Sequence, residues 1–222
     1  MKDHEIEAIL QEFSQEEMKN LIHRMLAHSP ELTTLLETTP QNAKHTYPLL
    51  DTIAITHQVK EIFVKSDGAK NPHAFIASDV QRLLENAKKY VSLNDWLNAA
   101  IVYQVIAHEC FYDDEVILSD HEDHVKHIVE QCITGMHTCL PGVINSDIRG
   151  MIFETLFDIY HWDVTHNGPC LAHEIPAIIQ LHANEEEKSY ITEWVQESFE
   201  QAPDESKTRQ SLHSFLQRLA KR

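Results

Sequence analysis

The chain has 222 residues and a formal charge of −17, with 42% hydrophobic and 24% charged residues, which is a globular composition long enough to need no disulfide or metal staple. Thirty-five acids against eighteen bases disfavour phosphate backbones and anionic lipid as general partners. No run approaches the ~18 apolar residues of a membrane span. The start, MKDHEIEAILQEF, carries acids where a signal peptide carries bases, so a cytoplasmic location is expected.

Helical periodicity begins at residues 5–13, where Ile6, Ile9, Leu10 and Phe13 share a face. Ser14 with Glu17 reads as a capping box, followed by the stripe Met18, Leu21, Ile22, Met25, Leu26. Ser29-Pro30 starts a short helix with Leu32, Leu35 and Leu36. Thr38 to Thr46, with Pro40 and Pro48, breaks the pattern. A helix to about Lys65 follows, with Asp67-Gly68 as its stop and a loop from Ser66 to Pro72.

Asp79 to Tyr112 reads as two helices joined by the tight turn Asn94-Asp95-Trp96. An acidic loop, Asp113–Asp120, leads to a capping box at Ser119-x-x-Glu122 and the stripe Val125, Ile128, Val129, Cys132, Ile133, Met136. Leu140-Pro-Gly closes that helix. The next is expected over 146–161, burying Ile148, Ile152, Leu156 and Ile159. Gly168-Pro169 precedes a helix over 170–182. Asn184-x-x-Glu187 caps another with Ile191, Trp194, Val195 and Phe199, and Pro203 separates it from a terminal helix with Leu212, Phe215, Leu216 and Leu219.

Strand signals are missing: glycines number five, and no Asn-Gly or Asp-Gly pair separates alternating runs. The pattern predicts an all-α protein of about ten helices in stacked antiparallel pairs, as a short α-solenoid or a helical-repeat bundle. One helical domain is expected over 1–222, with a possible sub-division near 66–78 into N-terminal helices 1–65, a core 79–202 and a terminal helix 203–222.

The central hairpin resembles a tetratricopeptide repeat. Ala87 and Tyr90, then Ala99 and Tyr103, match its small and aromatic signature positions, and Asn94-Asp95-Trp96 stands where the family has Gly-Asp-Tyr. Leu83, Asn86, Ile106 and Phe111 depart from the pattern. Over about residues 16–200 the order of features is similar to the helical region that accompanies SWIM zinc fingers. The matching segments are His28-Ser-Pro-Glu-Leu-Thr-Thr-Leu-Leu36, the hairpin, the acidic turn, Phe153–Asp163 and Glu185–Trp194. The zinc finger needs Cys-x-Cys and Cys-x-His, and neither occurs, so zinc and DNA binding are not carried over. What the resemblance implies is a protein-interaction scaffold without catalytic residues.

Sixteen histidines invite a metal reading. His121, His124 and His127 drift round a helix at three-residue steps, so a pair such as His124 with His127 is the most that one ion would find. His166, Cys170 and His173 form a second set, interrupted by Gly168-Pro169. Asp113, Asp114, Glu115, Asp120, Glu122 and Asp123 lack the register of an EF-hand and read as a solvated acidic turn. Asp158-x-x-His161 and Asp163-x-x-His166 are carboxylate–histidine pairs at helical spacing, with no nucleophile tied to either by a motif. Phosphate-loop, nucleophile-elbow and zincin motifs are absent. The four cysteines, Cys110, Cys132, Cys139 and Cys170, fit buried thiols in a reducing compartment.

The expected function is therefore a non-catalytic scaffold or adaptor, with no cofactor, that binds another protein of basic surface. Trp162 and Tyr160, expected near a helix end, and the acids Asp113, Asp114 and Glu115 are its candidate contact residues. Two alternatives stand beside it. One is a metal-dependent hydrolase or sensor built on His124 and His127, or on His166, Cys170 and His173. The other is an acidic DNA mimic that occupies a nucleic-acid-binding protein.

Overall fold

The computed structural model describes residues 48–112, 120, 123–166 and 173–220, all within one compact unit, His45–Arg222. Among the described residues there are eight α-helices, one 3₁₀ turn and no strand. The three helices expected before residue 37 lie outside the described residues.

Helix α1 (Thr52–Ser66) begins where the Asp51 carboxylate accepts from the Ile53 amide at 2.9 Å. Helix α2 (Pro72–Ser92) starts seven residues earlier than the apolar pattern alone predicts. The Asn71 side chain caps the Ala74 amide at 3.1 Å, and Pro72 pre-sets the first helical φ. Its buried stripe is Ile76, Val80, Leu84 and Ala87.

The turn after α2 is a Schellman motif. Asn94 takes a left-handed φ of 57°, its amide donates to the Val91 carbonyl at 3.0 Å, and the Asp95 amide donates to the Tyr90 carbonyl at 2.9 Å. Asparagine tolerates that conformation better than other residues with a side chain, which suits it to a place where the resembled family uses glycine. Asp95 then opens helix α3 (Trp96–Tyr112) by accepting from the Asn98 amide at 3.3 Å. Asn98, fully buried, holds the chain before α1 against this turn: its side chain donates to the Pro48 carbonyl and accepts from the Leu50 amide.

Helix α3 is buried almost all round, from Ala99 to Ala107, and packs on α1 and α2. It also packs on α4 (His124–Cys139) and α5 (Ser146–His166). Two aromatics two turns apart on α3 lie over two glycines. A methyl group on Gly135 would fall 2.6 Å from the Tyr103 ring, and one on Gly142 would fall 2.2 Å from Trp96. Bare backbone at both places lets α3 approach α4 and the 3₁₀ turn Leu140–Gly142 closely.

The capping box expected to open α4 has its Ser119 and Glu122 outside the described residues. The first amides of α4, those of Val125 and Lys126, donate instead to Asp120 Oδ2 at 2.6 and 3.4 Å. Helix α5 runs to His166, beyond the expected end at 161, and is buried on most sides through Ile152, Phe153, Leu156, Ile159 and Trp162. Helix α6 (Ile175–His182) is shorter than the expected 170–182, with Pro176 in its first turn. Helix α7 (Glu185–Gln201) carries the expected capping box between Asn184 and Glu187, both bonds 2.8 Å. Helix α8 (Lys207–Leu219) starts at the Ser206 cap and buries Leu212, Phe215 and Leu219.

Helices α6, α7 and α8 gather on α5 as α1, α2 and α4 gather on α3, and α3 packs against α5. Arg149 fastens the C-terminal group. Its guanidinium makes a bidentate pair with Glu187 at 2.6 and 2.8 Å and reaches the carbonyls of Leu140, Val143 and His182. Among the described residues no helix is long and apolar enough to cross a membrane.

Candidate functional site

The two buried helices, α3 and α5, meet along a furrow that α1 borders at one end. One hollow, about 310 Å³, is lined by Thr56, Gln104, Glu109, Met151 and Glu154 among others. The next, about 370 Å³, is lined by Phe111, Asp158, Ile159, His161, Trp162 and His166 among others. His108 and Thr155 line both, so the hollows adjoin. The wall on α5 steps through Met151, Glu154, Thr155, Asp158, Ile159, Trp162 and Thr165, the three- and four-residue rhythm of one helix face.

Aromatic contacts set the apolar end. Trp162 is met edge-on by Phe111 at 5.3 Å and is stacked by His166 at 5.1 Å. His161 stacks on Phe157 at 5.9 Å. His166 Nδ1 lies 3.0 Å from the Trp162 carbonyl, which holds that ring along the helix.

The polar groups divide into those bonded within the protein and those exposed to solvent. Glu109, buried near the C-terminal end of α3, where a carboxylate opposes the helix dipole, is met by Lys60 at 3.6 Å and by His108 Nδ1 at 3.3 Å. Gln104 donates to the Thr155 hydroxyl at 3.0 Å, and the Thr165 hydroxyl bonds back to the His161 carbonyl at 2.7 Å. By contrast, the carboxylates of Asp158 and Glu154 make no hydrogen bond or ion pair with the described residues, and no Lys or Arg is among the described residues lining either hollow.

Titration follows from this environment. Partial burial raises the Asp158 carboxyl above its usual 3.8, nearby Glu154 raises it further, and His108 acts in the opposite sense. Burial lowers His161 below 6.5, and His166 adds to the effect. At neutral pH His161 is thus an uncharged ring. The furrow offers carboxylates and imidazoles, and two of its four lining threonines, Thr155 and Thr165, have their hydroxyls engaged in hydrogen bonds. The buried thiols of Cys110 and Cys139 are pushed up to about 12 by burial, and Cys132 is raised well above 9.0.

The sequence-predicted residues fall in different places. Trp162 lies within α5, not at its end, because that helix continues to His166; it is buried, and its ring contacts Phe111 and His166. Tyr160 is buried on the other side of α5, its hydroxyl donating to the Ser211 carbonyl at 2.9 Å. Asp113, Asp114, Glu115 and Cys170 lie outside the described residues. His124 and His127 sit in the first turn of α4, with His127 Nδ1 3.2 Å from Glu130. His173 pairs with Glu174 at 3.6 Å in the turn before α6, away from the furrow lining. Among the described residues no three His, Cys, Asp or Glu side chains converge as a metal centre requires.

His108 and Glu109 were missed in the sequence. They stand inside an apolar run on α3, and only the approach of α5 gives them a role. No family model, curated protein or solved structure matches this chain.

Proposed function

We propose that the chain is a non-catalytic scaffold or adaptor of the cytoplasm that binds another protein through a basic segment. The observation that carries this reading is the furrow between α3 and α5, with two unpaired carboxylates and no Lys or Arg among the described residues that line it, on a chain of net charge −17. Such a surface attracts Lys and Arg and repels acidic partners, and the attraction weakens with salt.

Helical-repeat packing is part of the same reading. Ala87 and Ala99, two of the signature positions of the central hairpin, are fully buried, and Tyr103 fits against the bare backbone of Gly135. Those contacts support a stack of helix pairs as the frame that holds the furrow open.

A peptide array probed with the labelled protein tests the function. Bound sequences enriched in Lys and Arg, with signal lost between about 50 mM and about 500 mM salt, support it. Binding that is indifferent to peptide charge, or confined to acidic peptides, overturns it.

A further inference from the structure

The lining of the furrow has a length as well as a charge. From Met151 to His166 the wall on α5 covers fifteen residue steps, roughly 22 Å at 1.5 Å per residue. An extended chain advances about 3.3 Å per residue, so six or seven residues span that distance. The chemistry along it is ordered. Glu154 and Asp158 sit one helical turn apart in the middle, Met151 gives an apolar surface at the α1 end, and Phe111 and Trp162 give another towards His166.

We infer that the furrow is a seat for a short extended segment of another protein, with an Arg or Lys side chain of that segment held between Asp158 and Glu154. The aliphatic stem of that side chain lies on Phe111 and the edge of Trp162, and its charged head meets the two carboxylates. Arginine and lysine both combine an apolar stem with a cationic tip, which is the sequence of surfaces that this wall presents. An extended chain turns alternate side chains to one side, so a short extended segment seats side chains in both adjoining hollows. Carboxylates one turn apart on a single helix already repel each other, and a cation between them relieves that repulsion. The inference rests on the scaffold reading and assigns that reading a place and a ligand shape.

Fluorescence anisotropy with three labelled octapeptides tests it. One alternates Arg with Thr, one alternates Glu with Thr, and one carries the same number of Arg residues in a stapled helix. They are titrated against the full chain, the double variant Glu154→Gln with Asp158→Asn, and Glu193→Gln as a control on the exposed side of α7. The expected result is that the extended Arg peptide binds tightest, the double variant loses about tenfold in affinity, and the control is unchanged. Equal affinity of the double variant and the control overturns the furrow as the seat while leaving a basic partner in place elsewhere. Tighter binding by the helical peptide overturns the extended segment. No binding of either Arg peptide to the wild-type chain at low salt overturns both this inference and the scaffold reading.

Discussion

Two glycines in helix interiors predict opposite responses to the same substitution. Gly→Ala in a helix gains about 1 kcal/mol of propensity when the methyl group has room. Around Gly150, on α5, nothing lies within 4 Å of the added methyl. Gly150→Ala is therefore expected to raise the unfolding temperature by about 2–4 °C. Around Gly135 the methyl falls 2.6 Å from the buried Tyr103 ring, well inside carbon–carbon contact distance. Overpacking of this kind costs about 1–3 kcal/mol, so after the propensity gain the net loss is up to about 2 kcal/mol. The ring is buried, and the relief open to it is movement into the hollow of about 370 Å³ that Tyr103 and Gly135 both line, which sets where in that range the cost falls. Urea denaturation of both variants gives the two signs directly. In a Tyr103→Val background the same methyl at residue 135 meets space, so its cost should vanish, which measures the coupling. If Gly135→Ala stabilises as much as Gly150→Ala, the ring does not lie over that glycine and the α3–α4 packing described above is wrong.

Three further outcomes are expected. Asn98→Ala leaves the Leu50 amide without its acceptor and the Pro48 carbonyl without its donor, and costs about 2 kcal/mol, with faster amide exchange at Leu50 by mass spectrometry. Arg149→Lys loses the bidentate geometry to Glu187 and leaves carbonyls unmet, lowering stability by about 3 kcal/mol in urea melts. Stability also falls as pH drops from about 7 to about 5. Burial lowers His161 and His182 in the folded chain, helped by His166 for the first and by His137 and Arg149 for the second, so the unfolded chain takes up protons below 6.5 that the folded chain refuses. His182→Leu should flatten part of that slope. Glu187 acts lower in the range: burial raises it, but its bonds with Arg149 and the Asn184 amide prevail and bring it below 4.5, so its contribution is present above 4.5 and is lost as pH falls through the lowered value. Asp158, raised, opposes both trends.

Periodicity carried the fold further than it carried the site. The stripes of α4, α7 and α8, the Asn184 capping box and the αL turn at Asn94 follow from local chemistry, and each appears where its residues require. Boundaries moved where a cap outweighed the apolar pattern, as at Asn71, or where the helix continued through polar residues, as from Asp163 to His166. The furrow was harder to foresee. Asp158 and His161 stood out as a spaced pair, but His108 and Glu109 lie on a helix that looks wholly apolar, and Lys60 reaches Glu109 from α1, far away in the chain. Such a site depends on tertiary approach, to which helical spacing is blind. Trp162, near a predicted helix end, allows either a core place or an exposed anchor from sequence, and the helix that runs on to His166 has it buried.

The most direct test of the account is a two-dimensional NMR titration of the histidine side chains with the Arg–Thr octapeptide at neutral pH. The account predicts that the rings of His108, His161 and His166 shift together, with a common saturation curve, while those of His57 and His213 stay where they are. Shifts centred on any other set of histidines, with the furrow rings unmoved, would contradict it.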